Sequence, residues 1–351
     1  MGPVILVKSP LRVNFLGGGS DFEEIFTRQG GAVFGTSIDL YVYLSAALVP
    51  PFASEKFRFT YRKTESVNDA LEFEHPVVRE TFSEQKWLPP LNLATMSDVP
   101  GNSGLGSSSS FTVGLIKLLS RLQKSGIPPS AIASEAIRIE RKVLGEVGGW
   151  QDQLHAAHGG VNLFEFLRDG TVKIKKISSN DEVIKLLNNS MFLVPLVGER
   201  SSSQLSSKYI RDVDNDRYLE LVLENSHLAR QLAEDFTNED FSASKKIKSL
   251  GVAMRRAWAI KLETNPSVEL SQADNLIKKG IDAGALAGKL CGAGESGFIF
   301  FLHEAKSREK ILNALDSESW ISIKSSYGGA TVVYEGIDEP LVSDSTWGHK
   351  F

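Results

Sequence analysis

The stretch DVPGNSGLGSSSSFTVGLIKLLSRL, from Asp98 to Leu122, constrains the fold more than any other part of this sequence. Its first half is rich in glycine and serine, like a flexible linker, yet it runs directly into an apolar segment. Phe111, Leu115 and Leu118 recur there at helical spacing. The strand-like run LNLATMS comes just before the loop. The sequence therefore predicts a strand, a tight loop and a helix in succession.

A loop of this kind has the physical parts of a phosphate site. Glycines let the backbone approach a ligand, and the start of a helix offers free N–H groups to an anion. The alternative is a serine cap on the helix after a flexible turn, which composition alone favours. Four consecutive serines, however, exceed what one cap needs.

Two other glycine motifs, the P-loop and the dinucleotide-binding fingerprint, would indicate a different nucleotide site. The P-loop pattern GxxxxGK[ST] is absent. GAGESG at Gly292–Gly297 matches GxGxxG, but it follows a segment that reads as a helix and leads into the strand-like run FIFFL. A dinucleotide-binding fingerprint requires a strand first and a helix second, so the order argues against that function.

Composition limits the class of protein. The 351 residues are 42% hydrophobic, enough for one large domain or two medium ones with real cores. A net charge of −4 argues against a disordered chain and against a strongly basic nucleic-acid binder. No window approaches the roughly 18 apolar residues of a membrane span. With Cys291 as its single cysteine, we expect a cytoplasmic protein without nucleic-acid or membrane partners; its oligomeric state is undetermined.

The order of elements predicts an α+β protein with two lobes. Strands are expected in VILV, LRVNFLG, AVFGTSIDLYVYLSAALV, FRFTYR, LEFE and LNLATMS, and later in MFLVPLV, GFIFFL and TVVYEG. A hairpin is expected to turn at Asp169-Gly170. Helices are expected at 129–144 and at about 204–235, 239–262 and 268–287. Long helical stretches with only a few strands follow residue 185, so we divide the chain into residues 1–185 and 186–351.

Three segments together resemble the three motifs of the GHMP kinases. They are SPLRVNFLGGGSDF (Ser9–Phe22), PGNSGLGSSSS (Pro100–Ser110) and GKLCGAGESGF (Gly288–Phe298), in the family's order. Within the superfamily, PLRVNFLGGGSD and GGWQDQLHAAHGGVNLFEF are most similar to bacterial D-glycero-D-manno-heptose 7-phosphate kinases, and the kinase part of fucokinases is similar. The resemblance implies a lobe like ribosomal protein S5 domain 2 in 1–185 and a ferredoxin-like lobe in 186–351.

The same resemblance implies transfer of phosphate from ATP, with Mg²⁺, to the anomeric hydroxyl of a sugar phosphate. Asp152 is implied as the catalytic base, with Arg12 beside it. The implied ATP-phosphate ligands are Pro100, Gly101, Gly104, Leu105, Gly106, Ser107, Ser108 and Ser109. The implied sugar-binding residues are Gly17, Gly18, Gly19 and Asp21, the implied metal ligands are Ser108 and Glu140, and the third-motif loop contains Gly292, Ala293 and Gly294.

Most of these residues also have a plainer interpretation. Glu140 fits the solvent-facing side of a helix. Asp152 or Ser108 fits a helix cap, and Asp21 fits the cap of a helix that begins at Phe22. The sequence departs from the family pattern where Ser20 replaces a threonine, where Ser109 replaces an alanine, and where Glu295-Ser296 replaces a glycine pair.

Several further residues are weaker candidates. Lys8 and Arg200 are possible ligands of a substrate phosphate, but solvated cations are the plainer interpretation. His155 and His158 lie one helical turn apart without an evident third metal ligand. Cys291 suits packing better than nucleophilic attack, and Trp150 and Gln151 suit either the sugar pocket or the core.

Three other functions remain open on this fold. They are a kinase for another sugar such as fucose or galactose or for a non-sugar alcohol, a silent sensor of sugar and nucleotide, and a decarboxylase. The presence of both Arg12 and Asp152 argues against the sensor.

Overall fold

Two β-sheets with helices packed on them make up the protein in the computed structural model. The structure describes residues 4–50, 52–85, 87–101, 103–177, 182–196, 215–265, 268–292, 297–304, 306–317 and 319–336. The predicted α+β class is confirmed.

The first sheet has eight strands and carries most of the large core. They are β1 (Val4–Leu16), β2 (Gly31–Leu48), β3 (Phe57–Thr60), β4 (Thr64–Val67), β5 (Leu91–Ser97), β6 (Val161–Phe166), β7 (Val172–Lys176) and β12 (Thr331–Gly336). The order is β12-β1-β2-β5-β3-β4, and β6 also pairs with β2 and with β7. All pairs are antiparallel except β3 with β5. The predicted hairpin at Asp169-Gly170 is confirmed as the β6–β7 turn.

The long strand β2 organises this sheet. One edge pairs with β1 along most of its length, while the other edge pairs first with β6 and then with β5. The register of β1 against β2 shifts between Pro10 and Leu11, where proline has no N–H to give to the ladder. Beyond the shift, Leu11, Arg12 and Val13 are all buried. The irregularity therefore precedes the part of β1 that carries the candidate site.

The second sheet has four strands. They are β8 (Met191–Leu196), β9 (Ala285–Leu290), β10 (Gly297–His303) and β11 (Ile321–Ser322). Its order is β11-β8-β10-β9 with every pair antiparallel, which is the 4-1-3-2 order of a ferredoxin-like unit. Phe192, Ile299 and Phe301 anchor a separate core cluster beneath it. The predicted two-lobe fold is confirmed, while the boundary between 185 and 186 stays a prediction.

Ten α-helices surround the sheets within the described ranges. They are α1 (Glu23–Gln29), α2 (Pro76–Ser83), α3 (Ser107–Leu122), α4 (Pro129–Ile137), α5 (Gln151–His158), α6 (Glu182–Asn188), α7 (Asp216–Thr237), α8 (Ala243–Thr264), α9 (Val268–Asp282) and α10 (Arg308–Leu315). A π-helical segment, Arg138–Val143, continues α4. None of these helices is both long enough and apolar enough to cross a membrane.

Two of the predicted elements are wrong. LEFE, predicted as a strand, holds the 3-10 turn Ala70–Glu72, which begins with a capping box on Asp69. The predicted helix at 268–287 ends at Asp282, and Ala285–Leu290 is a strand. Alanine and glycine are weak strand formers, so pairing with the phenylalanine-rich β10 decides the conformation there. Gly292 therefore follows a strand, although the next described element is again a strand rather than a helix.

Candidate active site

The glycine-serine loop ends at the start of α3, as the sequence predicts. Gly106 is the N-cap residue in a left-handed conformation (φ 79°), and no side chain caps this helix. The first-turn N–H groups therefore have no side-chain cap among the described residues, and they face the loop with the positive end of the helix dipole. The four serines therefore do not serve as a cap for this helix.

The four serines divide into two pairs. Ser107 is half-buried and Ser108 is exposed, whereas Ser109 and Ser110 are buried. Ser110 Oγ donates to the Pro10 carbonyl at 2.8 Å, which ties α3 to β1. Only the first pair is thus placed at the accessible start of the helix, where an anion would lie.

Backbone contact joins this loop to the third motif. Gly104 has φ 73°, and a Cβ there would lie 2.5 Å from the Cys291 carbonyl oxygen. Gly292 has φ 75° and faces the Cα of Gly104. Leu105 is fully buried, and its carbonyl accepts from the Arg12 N–H at 3.0 Å. Pro100 and Gly101 are exposed farther along the loop. Ala293, Gly294, Glu295 and Arg200 lie outside the described residues.

Arg12 and Asp152 form a bidentate ion pair next to Gly104 of the glycine-serine loop. Arg12 Nε donates to Asp152 Oδ1 at 2.7 Å, and Nη2 donates to Oδ2 at 2.8 Å. The remaining nitrogen, Nη1, donates to the Gly104 carbonyl at 2.6 Å. A Cβ on Gly106 would lie 3.3 Å from both Arg12 Cγ and Asp152 Oδ2. The pair expected from the sequence is therefore assembled next to the glycine-serine loop.

The environment keeps Asp152 ionised. Burial alone would raise the pKa of Asp152, but the charge of Arg12 and its hydrogen bonds outweigh burial and hold the pKa below its usual value. Asp152 is the second residue of α5 and does not cap it, because Trp150 is the N-cap. The helix-cap interpretation of Asp152 is therefore wrong.

Asp21, after the glycine turn Gly17–Gly19, is fully buried. Its Oδ1 accepts from the Gly19 N–H at 3.1 Å, and its Oδ2 accepts from the Gln151 N–H at 3.2 Å. Burial raises the pKa of Asp21, and these hydrogen bonds partly offset that effect. Helix α1 begins at Glu23 with Phe22 as an N-cap that makes no side-chain cap bond, so the alternative interpretation of Asp21 as a helix cap is wrong. Asp21 instead holds the glycine turn against the start of α5.

The glycine turn itself is held from α7. The Gly17 N–H donates to Asn225 Oδ1 at 2.9 Å, and Asn225 Nδ2 donates to the Gly18 carbonyl at 3.3 Å. Gly17 has φ 86° and packs on the Ala32 carbonyl so closely that any side chain would collide. Sequence reasoning missed Asn225, because nothing local to a helical asparagine indicates a partner about 200 residues away.

Glu140 is buried rather than solvent-facing. Its Oε2 accepts from Ser109 Oγ at 2.8 Å and from Gln153 Nε2. Its Oε1 has no hydrogen-bond partner among the described residues, and neither has Gln153 Oε1. Glu140 therefore contacts Ser109, the residue that departs from the family pattern, while its assignment with Ser108 to a metal stays a prediction.

An open cavity of about 260 Å³ extends from the ion pair. Its walls include Asn14, Gln151, Trp258, Lys261 and Lys289 together with Arg12, Asp21 and Asp152. Sequence reasoning missed Trp258, Lys261 and Lys289. Lys289 stands inside the third motif, GKLCGAGESGF, which was the one available signal.

Of the weaker candidates that the structure describes, Gln151 and Cys291 line the cavity and the others do not. Lys8 packs over the Tyr41 ring and does not line the cavity. Trp150 packs edge-on against Phe26, as a core residue does. His155 and His158 pack against Phe164. Burial and the charge of Arg12 lower the pKa of His155 to about 3, so it is neutral.

Comparison with known proteins finds kinase relatives along most of the chain. The GHMP kinases N terminal domain matches residues 70–160, and the GHMP kinases C terminal domain matches residues 236–322. The chain is 26% identical over 323 residues to the D-glycero-alpha-D-manno-heptose 7-phosphate kinase of Campylobacter jejuni, covering 90% of this chain and 94% of that protein. It is 25% identical over 336 residues to the galactokinase of Pyrococcus furiosus, covering 89% and 92%.

A solved structure agrees on the fold. The D-glycero-D-manno-heptose 1-phosphate kinase from Bacteroides thetaiotaomicron superposes with a TM-score of 0.74 at 22% identity, covering 96% of this chain and 100% of that one. The two matched domains, in order along one chain, show that the protein belongs to the GHMP kinases and is an ATP-dependent kinase.

Proposed function

We propose that the protein transfers phosphate from ATP to the anomeric C1 hydroxyl of D-glycero-D-manno-heptose 7-phosphate, which yields the 1,7-bisphosphate for synthesis of a nucleotide-activated heptose. The observation that carries the proposal is the Arg12–Asp152 ion pair, which lies between the start of α3 and a cavity able to hold a sugar. The similarity to the Campylobacter enzyme over nine-tenths of the chain supports the choice of substrate. Residues 1–185 and 186–351 are proposed as the two lobes.

Each part of the site has a role in this reaction. Gly101, Gly104, Gly106 and the first serines of α3 hold the triphosphate through backbone N–H groups and hydroxyls. Asp152 accepts the hydrogen bond of the attacking hydroxyl and then its proton. Arg12 orients Asp152 and stabilises charge on the transferring phosphoryl group. Because the pKa of Asp152 is held low, it contributes more by orienting the hydroxyl than by basicity.

The residues around Glu140 fit a hard cation. Its unpartnered Oε1 and the nearby serine hydroxyls are oxygen donors of the kind that Mg²⁺ prefers. Glu140 and Ser108 would hold the ion, with Ser109 and Gln153 fixing the carboxylate. Bound Mg²⁺ supplies neutralisation of the triphosphate charge.

Replacing Glu140 by glutamine tests that assignment. The amide keeps the shape and the contact with Ser109 but removes the negative charge, so the Mg²⁺ concentration needed for half-maximal activity should rise about tenfold or more. Glu135→Gln, at a partly exposed glutamate that pairs with Arg138 at 2.8 Å, is the control and should leave the requirement unchanged. An unaltered Mg²⁺ requirement in Glu140→Gln would remove Glu140 from the metal site.

A panel of acceptors tests the substrate. ADP release is measured with heptose 7-phosphate, heptose 1-phosphate, mannose, fucose and galactose, and phosphorus NMR locates the new phosphate. We expect heptose 7-phosphate to give the highest kcat/KM and a product phosphorylated at C1. A clear preference for an unphosphorylated sugar would favour the second candidate, a kinase for another sugar, which the similarity to a galactokinase supports. No turnover with any sugar, despite ATP binding, would overturn both.

A further inference from the structure

Two lysines face the cavity from the second lobe. Lys261 lies near the end of α8, and Lys289 lies on β9, the strand that leads into the third motif. Both are half-buried, and both side chains line the cavity. The mechanism above uses neither of them.

Within the described residues, the two ammonium groups donate hydrogen bonds only to uncharged oxygen atoms. Lys261 Nζ donates to the carbonyls of Leu290 at 3.1 Å and Gly292 at 2.7 Å. Lys289 Nζ donates to Asn14 Oδ1 at 3.2 Å and to the Phe15 carbonyl at 3.3 Å. Within the part of the chain that the structure describes, neither lysine makes an ion pair. Half-buried ammonium groups without a negatively charged partner favour the binding of an anionic ligand.

The charges along the cavity wall are unequal. The described lining contains four cations, Arg12, Arg141, Lys261 and Lys289, and two carboxylates, Asp21 and Asp152. Asp152 is matched by Arg12, and Asp21 is held by backbone N–H groups. Arg141 donates to the Gly149 carbonyl and lies 3.6 Å from Glu140. Among the described lining residues, the two lysines are therefore the cations without a carboxylate partner.

The lysines face the acceptor side of the site. Of the described residues between 100 and 109, which form the phosphate loop, none lines this cavity. Lys289 is joined to the acceptor side by hydrogen bonds, because it donates to Asn14 and Asn14 Nδ2 donates to Gln151 Oε1 at 2.6 Å. Gln151 is the neighbour of Asp152. An anion on the lysines would thus belong to the molecule whose hydroxyl reaches Asp152.

We propose that Lys261 and Lys289 bind the phosphate that the sugar already carries, and so select phosphorylated sugars over free ones. The inference rests on the proposed function, because it assigns a role within that acceptor site. A sugar phosphate is largely dianionic at pH 7, and its negative charge favours the protonated form of both lysines. Lysine binds phosphate as a point charge, with no need for the planar geometry of arginine.

The test compares one sugar with and without its phosphate. Lys261→Met and Lys289→Met are assayed with heptose 7-phosphate and with the free heptose. Each variant should lose roughly 10- to 100-fold in kcat/KM for the phosphorylated sugar, as expected for a lost charge-assisted hydrogen bond. The free heptose and the KM for ATP should change less than about threefold. Lys248→Met, on the exposed side of α8 in a pair with Glu304, is the control and should change neither.

Three other outcomes would contradict either the inference or the proposed substrate. Equal losses on both sugars would overturn the inference and place the lysines on the transferring phosphoryl group. No loss on either sugar would also overturn it. If wild-type enzyme prefers the free heptose, the proposed substrate fails independently of any lysine variant.

Wild-type enzyme offers a second measurement that needs no variant. Burial and the charge of Lys289 lower the pKa of Lys261 to about 7, and burial and the charge of Arg12 lower the pKa of Lys289 to about 8. The charged groups facing them, Arg12 and Asp152, keep their charge between pH 7 and 9, and burial raises the pKa of the nearby Cys291.

Raising the pH from 7 to 9 therefore removes lysine protons while the sugar phosphate stays dianionic. The ratio of kcat/KM for the phosphorylated sugar to that for the free sugar should fall about tenfold or more, and effects on ATP cancel in this ratio. The two methionine variants should flatten the dependence. A ratio that does not change with pH would contradict the inference.

Discussion

Replacing Asp152 by asparagine is expected to lower kcat about 100-fold or more while ATP affinity stays near the wild-type value. Asparagine keeps the size of the side chain and can still accept one hydrogen bond from Arg12, but it lacks the carboxylate that orients the attacking hydroxyl and takes its proton. General-base catalysis contributes about 10² to 10⁴ in rate. The kcat is measured by ADP release, and ATP affinity is measured by titration calorimetry.

A matched control separates chemistry from folding. Glu224 forms a bidentate pair with Arg256 between α7 and α8, at 2.5 and 2.6 Å, on the exposed surface. Glu224→Gln should leave kcat unchanged, and exposed pairs contribute at most about 1 kcal/mol to stability. Turnover of Asp152→Asn at the wild-type rate would remove Asp152 from its assigned role. A joint loss of turnover and ATP binding would indicate a damaged fold instead.

Replacing Gly104 by alanine is expected to affect both stability and nucleotide binding. Its φ of 73° disfavours any side chain, and the new Cβ would lie 2.5 Å from the Cys291 carbonyl oxygen and 3.1 Å from the Gly292 nitrogen. The left-handed conformation alone costs about 1–2 kcal/mol. Relief of the clash must separate the phosphate loop from the third motif and disturb the Gly104 carbonyl that holds Arg12. We expect a free energy of unfolding lower by about 2 kcal/mol or more and a KM for ATP higher by about tenfold.

Gly126→Ala is the control for this variant. A Cβ at Gly126 would meet no atom within 4 Å, and its φ is not in the left-handed region. It should leave denaturant unfolding and the KM for ATP nearly unchanged. If Gly104→Ala behaves like Gly126→Ala in both measurements, the close contact between the two motifs has no energetic role.

Local patterns predicted most of the elements near the site. The helix after the glycine-serine loop, the long strand β2 and the hairpin at Asp169-Gly170 all follow from side-chain periodicity and turn residues. Ala285–Leu290 did not follow, because its alanines and glycine carry no local strand preference. Hydrogen bonding to β10 holds this segment as a strand, and strand pairing is difficult to predict from one segment of sequence.

The residues of the candidate site also differ in how far the local sequence could predict them. The pairing of Arg12 with Asp152, 140 residues apart, was available only through the resemblance to a family. Lys261 looked like any lysine on a polar helix face, since burial is a property of the assembled fold. Ser109 shows the limit within one motif, because the family resemblance placed it among the phosphate ligands, whereas in the structure its hydroxyl donates to Glu140.

The placement of β1 has a consequence for how the protein is made. The strand that carries Arg12 pairs on one side with β2, which follows within 50 residues, and on the other side with β12, more than 300 residues later. Closing so long a loop is slow, and an unpaired strand edge is a template for other chains. During synthesis on the ribosome, one edge of β1 therefore stays open until residues 331–336 have emerged. Expression at high levels should favour association of incomplete chains at that edge.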